Sequence, residues 1–393
     1  MSEKCENKVR IGVIGYGNMG SVHSAYLARN EIANAEITAL CDNNPDKLSK
    51  AKEKLGESIT YFDDYKKMLN SGLVDLIIIA VPHYFHPVIG MEALKMGIHV
   101  LSEKPIGVYT KNVEEMNELA RKSNLTYGIM FQQRTLPNHQ KIKELLDSGV
   151  LGNLKRIIWI VTNWYRSQSY YDSGTWRATW AGEGGGVLIN QCPHNLDLWQ
   201  WFFGLPERIR GFCEFGKYRN IEVEDDVTAY MQYKNGATGM LITTTGEAPG
   251  TNRLEISGDN GKLIYEDGKI TFYKNEMPES EFNKISTSGF GQPKYEKKRI
   301  IVRKKGGDDH RIITQNTVNN ILFKEPLIAE AYEGIKSLTL SNSMYLSTWL
   351  DTWVDLPIDK DLYLEELKKR IAKSETKYNI VEQTMDLGGT SNT

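Results

Sequence analysis

The stretch Val9–Gly20 reads VRIGVIGYGNMG, and the fold of the first half of the chain turns on it. Val9 to Ile14 is an apolar run, Gly15, Gly17 and Gly20 follow, and His23 to Arg29 has helical character. Strand, glycine turn and helix in that order predict a Rossmann domain, a doubly wound parallel sheet. The first glycine permits the tight turn, the second lets a pyrophosphate approach the backbone, and the third lets helix and strand pack closely. Gly15, Gly17 and the free amides of Asn18 and Met19 at the helix start are thus candidate phosphate ligands.

A second strand, Ala35 to Leu40, leads to Asp42. That is where an acidic residue meets the adenosine ribose hydroxyls, which favours NAD over NADP. The alternative reading makes Asp42 the cap of a helix starting near Pro45. A third strand, Asp75 to Val81, is apolar on both faces, as in a parallel sheet covered by helices, and stops at Pro82. The loop from Pro82 through His83 and His86 then lies at the carboxyl edge of the sheet, where ligands bind, and its two histidines either touch the cofactor or substrate or are satisfied within the loop. After a helix near Val88 to Met96 and a strand from His99 to Leu101 come Glu103, Lys104 and Pro105. Proline cannot continue the ladder, so Lys104 points into the same crevice.

Composition narrows the function. The 393 residues suffice for two domains, and 48 basic against 50 acidic side chains leave a formal charge of -2. No electrostatic footprint for nucleic acid or an anionic membrane follows, and the expected partner is a small molecule. Met1 to Arg10 is polar, and the longest apolar run, around Leu76 to Val81, is too short to span a bilayer, so a cytoplasmic location is expected. Cys5, Cys41, Cys192 and Cys213 show neither metal-site nor redox spacing, and no metal is expected.

Beyond Asn153, alternating segments are separated by Asn235-Gly236, Asn260-Gly261 and Asp267-Gly268, strong hairpin cues that read most simply as a meandering sheet. A boundary near Phe131 to Thr135 divides the chain into a Rossmann domain, 1–133, and a second α/β domain, 134–373, with a polar tail, 374–393. A helix from Asn138 to Asp147 opens the second domain. The segments Thr314 to Phe323 and Ala329 to Trp349 are expected to cover one side of its sheet.

Residues 182–194, GEGGGVLINQCPH, combine a glycine run with Asn190 and His194. With Asn190 as helix N-cap, Pro193 falls in the first turn and His194 stands one turn after Asn190 on the same face. The preceding glycines allow close approach by a ligand.

Together, the Gly15, Gly17, Gly20 turn, Asp42, Glu103-Lys104-Pro105 and Gly184 to His194 resemble the Gfo/Idh/MocA oxidoreductases, a group that includes glucose-fructose oxidoreductase and inositol dehydrogenase. The resemblance runs from Val9 to about Pro357. It implies a C-terminal α/β domain built on a large open, mostly antiparallel sheet, with NAD held by Gly15, Gly17, Asn18, Met19, Asp42, Pro82, His86, Glu103 and Lys104. It also implies proton transfer by Lys104, His194 or both; His194 is taken as the principal base and Lys104 as the group binding and polarising the same oxygen. Many members have aspartate where this chain has Asn190, and asparagine cannot stabilise an imidazolium by charge.

Residues 163–180, NWYRSQSYYDSGTWRATW, are dense in aromatics, which stack on sugar faces, and arginine, which bonds hydroxyls or an acidic group; the alternative is a buried loop with aromatic packing, Trp176 and Trp180 being core. Arg166, Tyr171, Trp176 and Arg177 join Asn190 and His194 as expected substrate ligands. Members with an Asn-x-x-x-His segment include enzymes oxidising glycosides at C3. The expected function is therefore oxidation of a secondary hydroxyl of a sugar, glycoside or cyclitol, with C3 of a pyranoside the sharpest form. Two alternatives stand beside it: a glycoside hydrolase or lyase using transient C3 oxidation, and a non-catalytic sugar or NAD sensor. A homo-oligomer, dimer or tetramer, is expected through the open sheet of the second domain.

Overall fold

The computed structural model describes residues 8–302 and 309–375. Cys5 and all but the first two residues of the expected tail lie outside the described residues.

Six parallel strands form the first sheet: β1 (Val9–Ile14), β2 (Ala35–Cys41), β3 (Thr60–Phe62), β4 (Leu76–Ile79), β5 (His99–Ser102) and β6 (Tyr127–Ile129). Their order is β3-β2-β1-β4-β5-β6. Ile11, Val13, Leu76, Ile78, Val100 and Leu101 are wholly buried, because helices cover both faces and no strand can alternate apolar with polar residues. Strand order reverses between β1 and β4. The carboxyl ends of these two strands, with that of β5 beside them, open the crevice where ligands of such sheets bind.

The second sheet has nine strands: β7 (Leu154–Val161), β8 (Arg208–Phe215), β9 (Glu224–Gln232), β10 (Thr238–Thr244), β11 (Asn252–Gly258), β12 (Gly261–Glu266), β13 (Lys269–Asn275), β14 (Tyr295–Ile300) and β15 (Val354–Asp355). The three Gly-containing turns connect β9 to β10, β11 to β12 and β12 to β13, all antiparallel pairs. The sheet is nonetheless not one meander. Its order, β14-β13-β12-β11-β7-β10-β9-β8-β15, inserts β7 between two meanders, with β7 parallel to β10 and antiparallel to β11. Trp159, Leu241, Leu254 and Ile256 face inward beneath the helices Pro193–Phe203 and Gly334–Leu350. The opposite face is more open, with Phe212 52% exposed and Ile158, Tyr230 and Met240 half-buried.

One late helix departs from expectation. His310–Phe323 buries Ile313 and Val318 with Val9, Ile11 and Leu101 on the first sheet, whereas Gly334–Leu350 packs on the second. The first is buried on one side and the second nearly all round, and which sheet each covers depends on the chain's return path, not on its periodicity.

Candidate active site

The glycine turn has the geometry its spacing implies. Gly15 takes φ +95°, and a Cβ there would come within 2.3 Å of the Ala80 carbonyl; one at Gly20 would come within 1.8 Å of the Gly15 carbonyl. Around Gly17 the space is open, and Gly17 caps the helix Asn18–Ala28 without any side-chain hydrogen bond. The amides of its first turn, Asn18 and Met19 included, are therefore presented at an uncapped helix start, which suits an anion. Asp42 follows β2 directly. Its carboxylate accepts from Tyr16 N at 2.7 Å and Asn44 N at 2.9 Å, tying the end of β2 to the glycine turn. The helix Pro45–Leu55 is capped by Asn44, not by Asp42. A carboxylate has lone pairs beyond these two bonds, so the cradle and Asp42 together fit a dinucleotide.

At the end of β5, Glu103 is buried and accepts from His23 Nε2 at 2.7 Å. Despite the cost of burial, bonding to His23 and the nearby positive groups hold its carboxyl at about 2, below the usual range. Glu103 thus clamps the lysine-bearing strand end to the first helix. Lys104 extends across the cleft and its Nζ donates to the backbone carbonyl of Asn190 at 2.7 Å. Burial lowers the lysine pKa, and Arg166 and Arg177 add to that, while Glu103 and Glu183 oppose it.

His194 lies in the first turn of the helix Pro193–Phe203 and is 6% exposed. Its Nε2 is 3.3 Å from the side-chain nitrogen of Gln132, and its Nδ1 has no hydrogen-bond partner among the described residues. Burial first, then the Lys104 charge, push its pKa well below the ordinary value, so the ring is neutral at neutral pH. Asp197, next along the same helix face, is gripped by Arg134 through two bonds, Nε at 2.8 Å and Nη2 at 2.6 Å. Arg134 also bonds Glu333, and both Arg134 and Asp197 are buried. Gln132 and Arg134 share one short helical turn, Gln132–Thr135, between the two sheets.

Several expectations are corrected here. Asn190 is not the helix cap, since the cap position is Cys192, and its side-chain amide donates to the Glu183 carboxylate and not toward His194. The glycines 184–186 are closely approached by the protein itself. A Cβ at each would meet Val108 at 2.2 Å, Tyr345 at 2.3 Å and the Glu224 carbonyl at 2.0 Å. Both His86 ring nitrogens lie on backbone carbonyls, Pro105 at 2.7 Å and Val81 at 2.8 Å, so the ring braces two cleft loops instead of offering a polar atom to a cofactor. Tyr171 is core: it is 1% exposed and its hydroxyl meets Thr245 at 2.7 Å. The ring in the loop is that of Tyr170, with the Arg166 and Arg177 guanidiniums 5.2 Å and 4.6 Å from its centre. Trp176 is half-buried with its ring 5.7 Å from that of His83, next to Pro82 in the loop after β4, so the arginine loop faces the crevice. Glu183, Gln132, Arg134 and Asp197 were missed. Only the His194–Asp197 spacing, three residues on one helix face, offered a signal in sequence.

Residues 9–131 match the model of an oxidoreductase family with an NAD-binding Rossmann fold, and residues 139–264 match the GFO/IDH/MocA C-terminal domain. The chain belongs to the Gfo/Idh/MocA family. It is accordingly an oxidoreductase with an NAD-binding Rossmann domain. Among its relatives, the D-glucoside 3-dehydrogenase of Escherichia coli is 25% identical over 367 residues, covering 88% of this chain and 97% of that protein. The myo-inositol 2-dehydrogenase of Thermotoga maritima is 25% identical over 272 residues, 67% of this chain and 77% of that one. Among solved structures, the WlbA dehydrogenase of Bordetella pertussis, in complex with NADH and UDP-GlcNAcA, superposes with a TM-score of 0.75. It is 25% identical and covers 90% of this chain and 100% of its own. Among the described residues no helix is long and apolar enough to cross a membrane, and no group of three or more His, Cys, Asp or Glu side chains could hold a metal ion.

Proposed function

We propose that this Gfo/Idh/MocA protein is an NAD-dependent dehydrogenase acting on a secondary hydroxyl of a sugar, glycoside or cyclitol, in its sharpest form C3 of a pyranoside. One observation carries the reading: a buried, neutral His194 with an unpartnered Nδ1 shares a cleft with a lysine held on a main-chain carbonyl. The names of the E. coli and T. maritima relatives support the substrate class. NAD, when bound by Gly15, Gly17, Asn18, Met19 and Asp42, supplies the hydride acceptor.

The chain's own groups handle the proton. Lys104 donates a hydrogen bond to the reacting oxygen and favours negative charge there as the hydroxyl proton leaves. His194 takes that proton through the nitrogen without a protein partner. The Gln132 amide bears on the tautomer: with its nitrogen toward Nε2, as placed, Nδ1 carries the proton, whereas the flipped amide, whose oxygen otherwise has no partner, accepts from Nε2–H and leaves the lone pair on Nδ1 that the base requires. Arg166, Arg177, Tyr170 and Trp176 form the wall on which a sugar ring stacks. The protein assembles through the open face of the second sheet, where Phe212 and its half-buried neighbours would be covered.

The test is purified protein with NAD and a panel of glycosides and cyclitols, following both reduced cofactor and freed aglycone. The proposal expects NADH to accumulate with a keto product and His194→Ala to abolish it. Aglycone release without net reduction would replace it with redox-assisted cleavage, and no turnover alongside tight NAD and sugar binding would replace it with a sensor.

A further inference from the structure

We propose that Glu183 is a positioning residue for this reaction, supplying across a single hydrogen bond the negative charge that position 190 itself lacks, and that residue 190 couples it to Lys104. The inference rests on the reading of Lys104 given above. Glu183 is 1% exposed, in a turn between the arginine loop and the helix of His194. A carboxylate so deeply buried needs compensating donors. One oxygen accepts from the Asn190 side chain. The other accepts from Ala178 N at 2.6 Å.

Each bond reaches a functional segment. Asn190 offers its amide to Glu183 and its main-chain carbonyl to Lys104 Nζ, so one residue spans the carboxylate and the cation. Ala178 follows Arg177 and has φ +54°, a left-handed conformation that alanine avoids unless its surroundings hold it there. Its N–H on Glu183 is such a hold. The same carboxylate therefore sets the Lys104 anchor and the turn that aims Arg177.

Lys104 is surrounded by charge of both signs. Glu103 and Glu183 favour its ammonium form, Arg166 and Arg177 oppose it, and His83, His86, His194 and His310 face it. Glu103 is already committed to His23. Loss of the Glu183 charge therefore leaves the arginines less opposed, and Lys104 gives up its proton at lower pH.

The geometry offers a charge-swap test. In Glu183→Gln the charge is lost while the shape stays. In the double variant Glu183→Gln with Asn190→Asp, the glutamine oxygen still accepts from Ala178 N and its nitrogen donates to the new aspartate. The hydrogen bond is reversed and the charge returns. Lys104 titration is read without substrate, from the pH dependence of its acetylation by acetic anhydride, quantified by peptide mass spectrometry. Glu183→Gln is expected to move it down by about one unit, and the double variant to restore it; the limb of the pH–rate profile belonging to Lys104 should follow. An unmoved titration, or one that the swap does not restore, overturns the proposal. If Glu183→Gln does not fold, the double variant decides: folded with wild-type titration supports it, and unfolded or shifted overturns it. Restored titration in a protein that oxidises no sugar supports the role of Glu183 and overturns the proposed function instead.

Discussion

The Lys104 ammonium donates a hydrogen bond to the main-chain carbonyl of Asn190, while the Asn190 side chain turns away to Glu183. Side-chain changes at 190 therefore leave the lysine's acceptor in place and act on the carboxylate. Asn190→Asp alone would set two carboxylates in hydrogen-bond contact, and one must hold a proton. That carboxyl's folded pKa is raised above its unfolded value. Stability is retained at pH below the ordinary carboxylate range and lost as pH rises through the raised folded value. Thermal melts across pH should show the gap between this variant and wild type widening from acid toward neutral; a gap independent of pH would mean that the two side chains do not meet.

In the proposed mechanism Lys104→Ala removes the group that donates to the reacting oxygen. Turnover should fall by about a hundredfold or more, the scale of a positioned acid–base group. NADH affinity, measured by fluorescence titration, should change little, because in that reading the glycine turn and Asp42 carry the cofactor. A parallel loss of melting temperature and activity would make the lysine structural.

The Arg134–Asp197 pair is buried on both sides. Asp197→Ala leaves Arg134 with Glu333 as its remaining carboxylate, so the cost should fall at or below the about 3 to 5 kcal/mol of a fully broken buried pair. An apolar pair of similar volume, Arg134→Met with Asp197→Leu, should recover much of that stability in urea unfolding. Activity should recover less, since Arg134 also fixes the turn carrying Gln132.

Asp42 accepts two backbone amides at the end of β2, beside the glycine turn, and in the proposed reading its carboxylate meets the ribose hydroxyls. NAD should bind at least about tenfold more tightly than NADP, roughly 1.4 kcal/mol. Asp42→Ser should narrow the ratio by weakening NAD and relieving repulsion of the 2′-phosphate. Calorimetric titration of both cofactors checks it, and equal binding to the wild type would refute it.

The His23–Glu103 bond predicts an acid-sensitive term. The folded carboxyl sits at about 2, below its unfolded value, so its stabilisation is present above the ordinary carboxylate range and disappears as pH falls toward 2. His23→Ala should lower stability at pH 6 and above, with the difference from wild type shrinking below about pH 4, near the usual carboxyl pKa. Denaturant melts from pH 3 to 7 measure it.

Much of this protein is written in local sequence. Val9–Ile14 with the three glycines determines a strand, a turn and a helix, because backbone sterics and close packing act over a few residues. Asp42 and Lys104 were legible because the ends of parallel strands converge on one edge of a sheet. The Asn-Gly and Asp-Gly hairpins were legible for the same short-range reason. Tertiary structure decided the rest. The insertion of β7 between β10 and β11 pairs residues 82 apart with β10 and 91 to 104 apart with β11, and no turn signal encodes such a pairing. Which of Tyr170 and Tyr171 is core follows from which side of a short helix meets Thr245. Whether Asn190 addresses His194 or Glu183 depends on a backbone that departs from helix at the residue expected to cap it. Periodicity specifies which side chains are buried, but a buried polar group takes its partner from whatever donor or acceptor the assembled fold brings within hydrogen-bond reach, and here the acceptor was a glutamate in the glycine turn itself.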